Sequence, residues 1–487
     1  MKLSVVILAA GQGKRMKSET PKMLHKMGGR ALVDWSIALA RDLQCARTVV
    51  VIPPNAPALE ERVTSVLGAG STAIQEVPRG TGDAAKSAAS ALASFDGDVV
   101  VYFGDTPLIR AETLARMFAA RDAGSNVVVL AFHADDPTGY GRIITDSAGE
   151  FVKNVEHRDA NKEELAVNLC NAGALVADAK TLFDLLGKLR NDNAQQEFYL
   201  TDIPGMARAA AMKVGIVEAQ EEELLGVNSR AQLADAEAAF QKRARDAAME
   251  AGVTLIDPAS VFFSYDTVIE ADAIIEPHVF FGTGVKIGAG ATIHAYCHFE
   301  RTEVGPKSEI GPFARFRPGA KLAAKVKIGN FVEVKNSNFG EGAKASHLAY
   351  IGDADVGPRA IDLRLVRGVV RVQRANGAVR VLPVLLLPGG DVVAQGARLA
   401  AGRRRLPGGK ALAVPGIDTV VVGRARGERG LHDRVELARI AAARSRGSGG
   451  LRRGDRRGDR RGQALPVTVT HGAWPRVSPS AAQIGRA

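Results

Sequence analysis

Ile287-Gly288-Ala289-Gly290-Ala291-Thr292-Ile293 holds one full step of a six-residue repeat. Around it, apolar residues stand six apart at Ile269, Ile275, Phe281, Ile287 and Ile293. After an insertion the register resumes at Val304, Ile310, Phe316, Leu322, Ile328 and Val334, and returns at Phe339, Ala345 and Ile351. Glycine often follows the apolar position, as in Ile310-Gly311, Ile328-Gly329 and Ile351-Gly352. A hexapeptide period is the mark of a parallel β-helix. Each hexapeptide forms one flat side of a coil, and its apolar residue points inward to stack on the next coil.

Downstream, the period ends at Gly357 and the composition changes. Residues 358–487 hold 25 Arg and one Lys against eight acidic residues, a net of +18, and neither Phe nor Tyr. The preceding 357 residues hold 19 Arg, 19 Lys and 45 acidic residues, a net of −7. The overall charge of +11 therefore describes the tail and not the body. A nucleic-acid-binding reading of that charge rests wholly on the tail. The abrupt change in the Arg-to-Lys ratio predicts a frameshifted reading of a GC-rich gene. Ala-Ile-Ala-Ala-Gly, a plausible repeat fragment, can be written GCG ATC GCC GCG GGC. Read two bases later it gives Asp-Arg-Arg-Gly, the string at Asp455–Gly458 and again at Asp459–Gly462. The alternative is a genuine basic, disordered extension that binds nucleic acid or acidic partners. Resequencing across the Gly357 codon decides between them. On either reading the tail is expected to be irregular or disordered.

Upstream, residues 1 to about 226 alternate strand and helix patterns. Val49-Val50-Val51-Ile52, Asp98 to Phe103 and Asn126 to Leu130 are short β-branched runs, separated by alanine-rich helical stretches such as Ala84–Leu92 and Ala111–Arg121. This is a doubly wound α/β pattern, in which ligands bind beyond the carboxyl ends of the strands. Ser229 to Ala251 reads as one linking helix. The expected division is 1–226, 227–251, 252–357 and 358–487. Cys45, Cys170 and Cys297 lie far apart without a C-x-x-C, which predicts reduced thiols and a cytoplasmic setting. No apolar run approaches the ~18 residues that suggest a membrane span.

The first strand, Ser4-Val5-Val6-Ile7-Leu8, runs into Ala9-Ala10-Gly11-Gln12-Gly13-Lys14-Arg15-Met16, with Pro21-Lys22 beyond. Glycines let backbone N–H groups close on phosphate oxygens, and Arg15 and Lys22 supply positive charge. A secretory signal is not expected, because Gly-Gln-Gly-Lys-Arg stands where a small-residue cleavage site belongs. Nor is the dinucleotide fingerprint met, since Met16 occupies the third glycine's place. The whole pattern resembles the opening loop of sugar-1-phosphate nucleotidyltransferases. Further motifs fit it: Gln75 before Gly80-Thr81-Gly82, Phe103-Gly104-Asp105 at a strand end, Tyr140-Gly141-Arg142, Glu156-His157, Asn171-Ala172-Gly173 and Val227-Asn228.

Residues 1 to about 357 together resemble the bacterial bifunctional N-acetylglucosamine-1-phosphate uridyltransferases/glucosamine-1-phosphate acetyltransferases. The resemblance implies a Rossmann-like nucleotidyltransferase domain, a linking helix and a left-handed parallel β-helix, assembled as a homotrimer. It implies UTP and acetyl-CoA as co-substrates, Mg²⁺ as cofactor, and small-molecule partners with no nucleic acid and no membrane. By it, Leu8, Ala9, Ala10, Gly11, Gln75, Gly80 and Thr81 hold the uridine nucleotide, with Phe103 and Gly104 beside them. Arg15 and Lys22 contact phosphates. Gly141, Glu156, Asn171 and Asn228 hold the amino sugar, and Asp105 and Asn228 bind Mg²⁺. The family commonly has Tyr where Phe103 stands, which removes a hydroxyl and leaves the metal pair.

The β-helix carries a second constellation, Arg317, Lys335, His347 and Tyr350. By the resemblance, His347 is the general base of acetyl transfer, Arg317 and Lys335 bind the sugar phosphate and Tyr350 the sugar. The family's coils continue past the position of Gly357, and the tail has nothing that matches them. Acetyl transfer by this chain is therefore expected to be weak or absent. Two other readings stay open: another hexose-1-phosphate nucleotidyltransferase with a hexapeptide tail, and a non-catalytic regulatory subunit built on the same folds.

Overall fold

The computed structural model describes residues 2–360, together with four short strands at Val384–Leu386, Val392–Ala394, Leu412–Val414 and Ile417–Val420. The expected irregularity of the tail otherwise lies outside the described residues.

The first run of strands forms a nine-stranded sheet. Its main path orders Val214–Glu218, Val127–His133, Leu169–Asp178, Asp98–Phe103, Leu3–Leu8, Arg47–Ile52 and Thr72–Ile74. Leu3–Leu8 pairs in parallel with both neighbours, as a strand buried on both faces should. Apolar clusters cover the two faces, one built on Val5, Ile7 and Val100, the other on Val6, Leu8 and Val101. The sheet is mixed, because Leu169–Asp178 runs antiparallel to both strands beside it. Its register shifts between Asn171 and Leu175, a bulge centred on Gly173.

The predicted linking helix spans Arg230–Glu250, and the Ser229 hydroxyl caps it by accepting from Gln232 N. Its first half belongs to the sheet's core through Ala236 and Phe240. Its second half packs on the β-helix through Ala244 and Ala248. A small hairpin, Lys26–Met27 with Arg30–Ala31, is wedged against it. Gly28 N donates to Glu237 Oε2 at 2.7 Å, and a Cβ on Gly28 would fall 2.5 Å from the Phe240 ring. Beyond it, the Arg30 guanidinium lies 3.8 Å from the Tyr265 ring centroid, on the first turn of the β-helix side.

From Thr254 onward, three parallel sheets of six, six and five strands stack into a β-helix. All the hexad positions lie in its apolar column, with Ile269 packed at its edge. The expected insertion before Val304 is not there. Phe299 fills the place, stacked between Phe281 and Phe316 at 5.5 and 4.8 Å. The following step, to Val304, is five residues, a deletion that shortens one corner; Val334 to Phe339 repeats it. Outside the column, two exposed aromatic stacks run along the coils: His278, Tyr296, Phe313 and Phe331 in one, Phe262, Phe280 and His298 in the other. No helix among the described residues is long and apolar enough to cross a membrane.

Candidate active site

The strand ends of the first sheet bring three distant segments together. Gly13 adopts φ +61°, and a Cβ there would meet Lys22 Cβ at 2.7 Å. The glycine lets the loop fold back on the Lys22–Leu24 turn. Lys22 Nζ then lies 2.6 Å from Asp105 Oδ2 and 3.0 Å from Asn228 Oδ1. The pair is shielded, with side chains 7% and 17% exposed for Lys22 and Asp105. Asp105 is aimed by its backbone. Gly104 N donates to Leu8 O at 2.9 Å, and Val227 N donates to Asp105 O at 2.8 Å, which sets Asn228 beside it. From below, Tyr102 Oη donates to Ser36 O and Ser36 Oγ to Gly104 O. Arg15 is not drawn into this group; it is exposed on the loop.

The donor set suits a hard divalent cation. Asp105 and Asn228 turn two oxygens toward a single point that an ammonium already occupies, and such hard oxygens would hold a cation of this kind. Among the described residues no three His, Cys, Asp or Glu side chains cluster as a metal site.

Among the residues expected to hold the nucleotide, Gln75 is buried and donates to Gly80 O and Asp83 Oδ2, each at 3.0 Å. Gly80 enters the helix Thr81–Ser87 at φ +110°, where a Cβ would strike Phe198 O at 2.5 Å. Thr81 Oγ1 accepts from Leu200 N at 3.0 Å, so it fixes the Phe198–Leu200 segment over the turn.

In a further cluster, Gly141, Glu156 and Asn171 converge, the residues expected to hold the sugar. Asn171 N donates to Gly141 O at 2.9 Å. A Cβ on Gly141 would lie 3.1 Å from Glu156 Oε1. The bulge turns Asn171 inward, where its Oδ1 accepts from Gly173 N at 2.6 Å. A Cβ on Gly173 would fall 1.9 Å from the Phe103 ring, so the glycine makes room for Phe103. Thr201 Oγ1 donates to Glu156 Oε1 at 2.5 Å, and burial together with Glu156 and Asp159 pushes the Asp202 carboxyl up to about 6. Thr201, Asp202 and Asn154 escaped the sequence reading. No recognisable motif marks them, and only the β-hairpin Arg142–Thr145/Phe151–Val155 and the turn at Leu200–Asp202 bring them in.

In the β-helix, Arg317 and Lys335 occupy equivalent positions on successive coils, as Arg315 pairs with Glu333 two residues earlier. Arg317 Nη1 donates to Glu333 Oε1 at 3.2 Å. Tyr350 is folded over Gly352, the Cα partner of Lys335; a Cβ on that glycine would lie 2.5 Å from Tyr350 Oη. His347 stands around the corner on the neighbouring sheet, paired with Asn330, and is exposed.

Residues 5–200 match the family of MobA-like NTP transferase domains. The bifunctional protein GlmU of Maricaulis maris (strain MCS10) is 51% identical over 357 residues, 73% of this chain and 78% of the relative. That of Gluconobacter oxydans (strain 621H) is 49% identical over 354 residues, 73% of this chain and 78% of the relative. That of Caulobacter vibrioides (strain ATCC 19089 / CIP 103742 / CB 15) is 47% identical over 357 residues, 73% and 77% of the two chains.

Proposed function

The chain belongs to the bifunctional GlmU family, and on that premise we propose that residues 1–226 carry uridyl transfer, 227–251 the linking helix and 252–357 an incomplete acetyltransferase domain ahead of the aberrant tail 358–487. The family makes UDP-N-acetylglucosamine, a cell-wall precursor, with uridyltransferase and acetyltransferase activities in one chain. Its substrates are small molecules.

In uridyl transfer, a phosphate oxygen of N-acetylglucosamine 1-phosphate attacks the α-phosphorus of UTP. A new P–O bond forms, the α–β bridging bond breaks, and pyrophosphate leaves with the electron pair. The nucleophile is already ionised at neutral pH, so no general base is needed. The work lies in positioning two anions and neutralising developing charge. Lys22 and Arg15 do this on the phosphates. Leu8 to Gly11, Gln75, Gly80, Thr81, Phe103 and Gly104 seat the nucleotide, while Gly141, Glu156, Asn171 and Asn228 seat the sugar. Asp105 and Asn228 would hold Mg²⁺, whose charge supplies the remaining neutralisation when bound.

In the β-helix, His347 would take a proton from the glucosamine amine as it attacks the acetyl carbonyl of acetyl-CoA, a C–N bond replacing the C–S bond and the CoA thiolate leaving, with Arg317 and Lys335 on the sugar phosphate and Tyr350 on the sugar. The matched span of 357 residues equals the length ahead of the arginine-rich tail. The remaining coils that complete this site have no counterpart in the tail's composition. The exposed aromatic stacks support a homotrimer through the β-helices, and three free cysteines support a cytoplasmic setting.

The convergence of Lys22, Asp105 and Asn228 carries the reading. Its test is pyrophosphate release from UTP across a panel of sugar 1-phosphates, beside acetyl transfer from acetyl-CoA. The expected result is selective turnover of N-acetylglucosamine 1-phosphate, lost in Asp105→Ala, with acetyl transfer weak or absent. Turnover of a different hexose phosphate, near-normal turnover in Asp105→Ala, or full acetyl transfer refutes the corresponding part.

A further inference from the structure

We propose that Asn154 is a positioning residue of the amino-sugar subsite, setting the orientation of the Asn171 amide. The proposal rests on the reading of Asn171 as a sugar contact. Asn154 and Glu156 alternate on the strand Phe151–Val155 and its continuation, so their side chains share a face. That face meets Gly141: a methyl group there would lie 3.4 Å from both amide atoms of Asn154. Asn171 Nδ2 donates to Asn154 Oδ1 at 3.1 Å, while Asn171 Oδ1 accepts from Gly173 N at 2.6 Å. With both ends engaged, the Asn171 amide cannot turn over without losing both bonds. One N–H and one lone pair stay available, at known places, for a ligand acceptor and a ligand donor.

The other amide atom of Asn154 has no such role. Its Nδ2 is buried without a hydrogen-bond partner. An unpaired buried donor is costly, and an apolar side chain of the same shape carries no such cost. The cost sits at the position that feeds Asn171, where an apolar side chain would leave the Asn171 amide without its acceptor. A residue that served stability alone would not be built this way.

The test is steady-state uridyl transfer by the full chain in four forms: wild type, Asn154→Ala, Asn171→Ala and the double variant. Asn154→Ala is expected to raise KM for N-acetylglucosamine 1-phosphate about fivefold, the factor one net hydrogen bond supplies. KM for UTP and kcat stay near wild type. In the Asn171→Ala background the same substitution has no further effect, because its only route is through Asn171. Asn154→Asp, which keeps the acceptor, restores KM to near wild type. Melting temperature is unchanged in Asn154→Ala, since one unpaired amide group replaces another. The proposal is overturned if the sugar KM is unmoved, if both KM values and kcat change together, if the two substitutions multiply, or if Asp behaves as Ala. Failure of the underlying reading looks different: wild type then releases no pyrophosphate with this sugar phosphate at all.

Discussion

Lys22→Met removes the only cation that the fold itself sets between Asp105 and Asn228 among the described residues. In the intact protein Lys22 Nζ touches Asp105 Oδ2 at 2.6 Å and Asn228 Oδ1 at 3.0 Å. Methionine keeps most of the side-chain volume and leaves the carboxylate facing an amide oxygen with no positive charge. Breaking a buried pair from one side costs ~3–5 kcal/mol. Asp105 keeps 17% exposure, so water recovers part of that loss. The expected destabilisation is about 2–3 kcal/mol without divalent cations. The assay is urea unfolding followed by fluorescence of Trp35, which packs on Phe240 of the linking helix and Tyr265 of the β-helix side. A Trp474→Phe background removes the second indole. Adding Asp105→Asn to Lys22→Met should restore most of the loss, because no uncompensated charge remains. Millimolar Mg²⁺ should stabilise Lys22→Met more than wild type, since the metal no longer competes with an ammonium. Equal stability of Lys22→Met and wild type without Mg²⁺, or simple additivity in the double variant, refutes the argument.

Asp202 gives a pH prediction. Its folded-state carboxyl titrates at about 6 against 3.8 for an ordinary Asp, chiefly through burial and then through Glu156 and Asp159. The folded protein therefore holds a proton that the unfolded chain has lost, and stability falls as pH rises through that window. Asp202→Asn should add about 1 kcal/mol at pH 7, after allowing for solvent screening of a part-exposed group, and nothing near pH 3.5. A pH-independent difference in urea midpoint counts against it. Gly173→Ala combines a positive φ of 76° with a contact 1.9 Å from the Phe103 ring. It should cost about 3 kcal/mol, partly recovered by Phe103→Leu. A melting temperature unaffected by Gly173→Ala is the contrary result.

The β-helix was legible because its inward positions repeat one physical requirement in every coil. Phe299 keeps the six-residue step from Ile293, and the register is broken only after it, where a corner loses one residue before Val304 while the stack of Phe281, Phe299 and Phe316 continues. The loop after the first strand was legible from its glycines, whose positive φ at Gly13 serves the approach of Lys22. Its spacing could not tell Lys22, which meets Asp105, from Arg15, which stays on the surface. The antiparallel strand Leu169–Asp178 and its bulge were not legible. They arise from pairing with strands far away in sequence, and they set Asn171 against Asn154.

The hairpin at Lys26–Ala31 has a practical side. Four residues after Lys22 the chain leaves the strand-end loop and inserts between the linking helix and the first turns of the β-helix. Phe240 closes on Gly28, and Gln241 exchanges two hydrogen bonds with Phe263. A shortened chain ending at residue 226 would strip this clamp, leave Met27 and Trp35 facing water, and loosen the segment that carries Lys22. Cutting after Glu250 keeps the clamp's helical jaw. A cut after Glu250 is therefore expected to give a better-folded amino-terminal piece than a cut at 226.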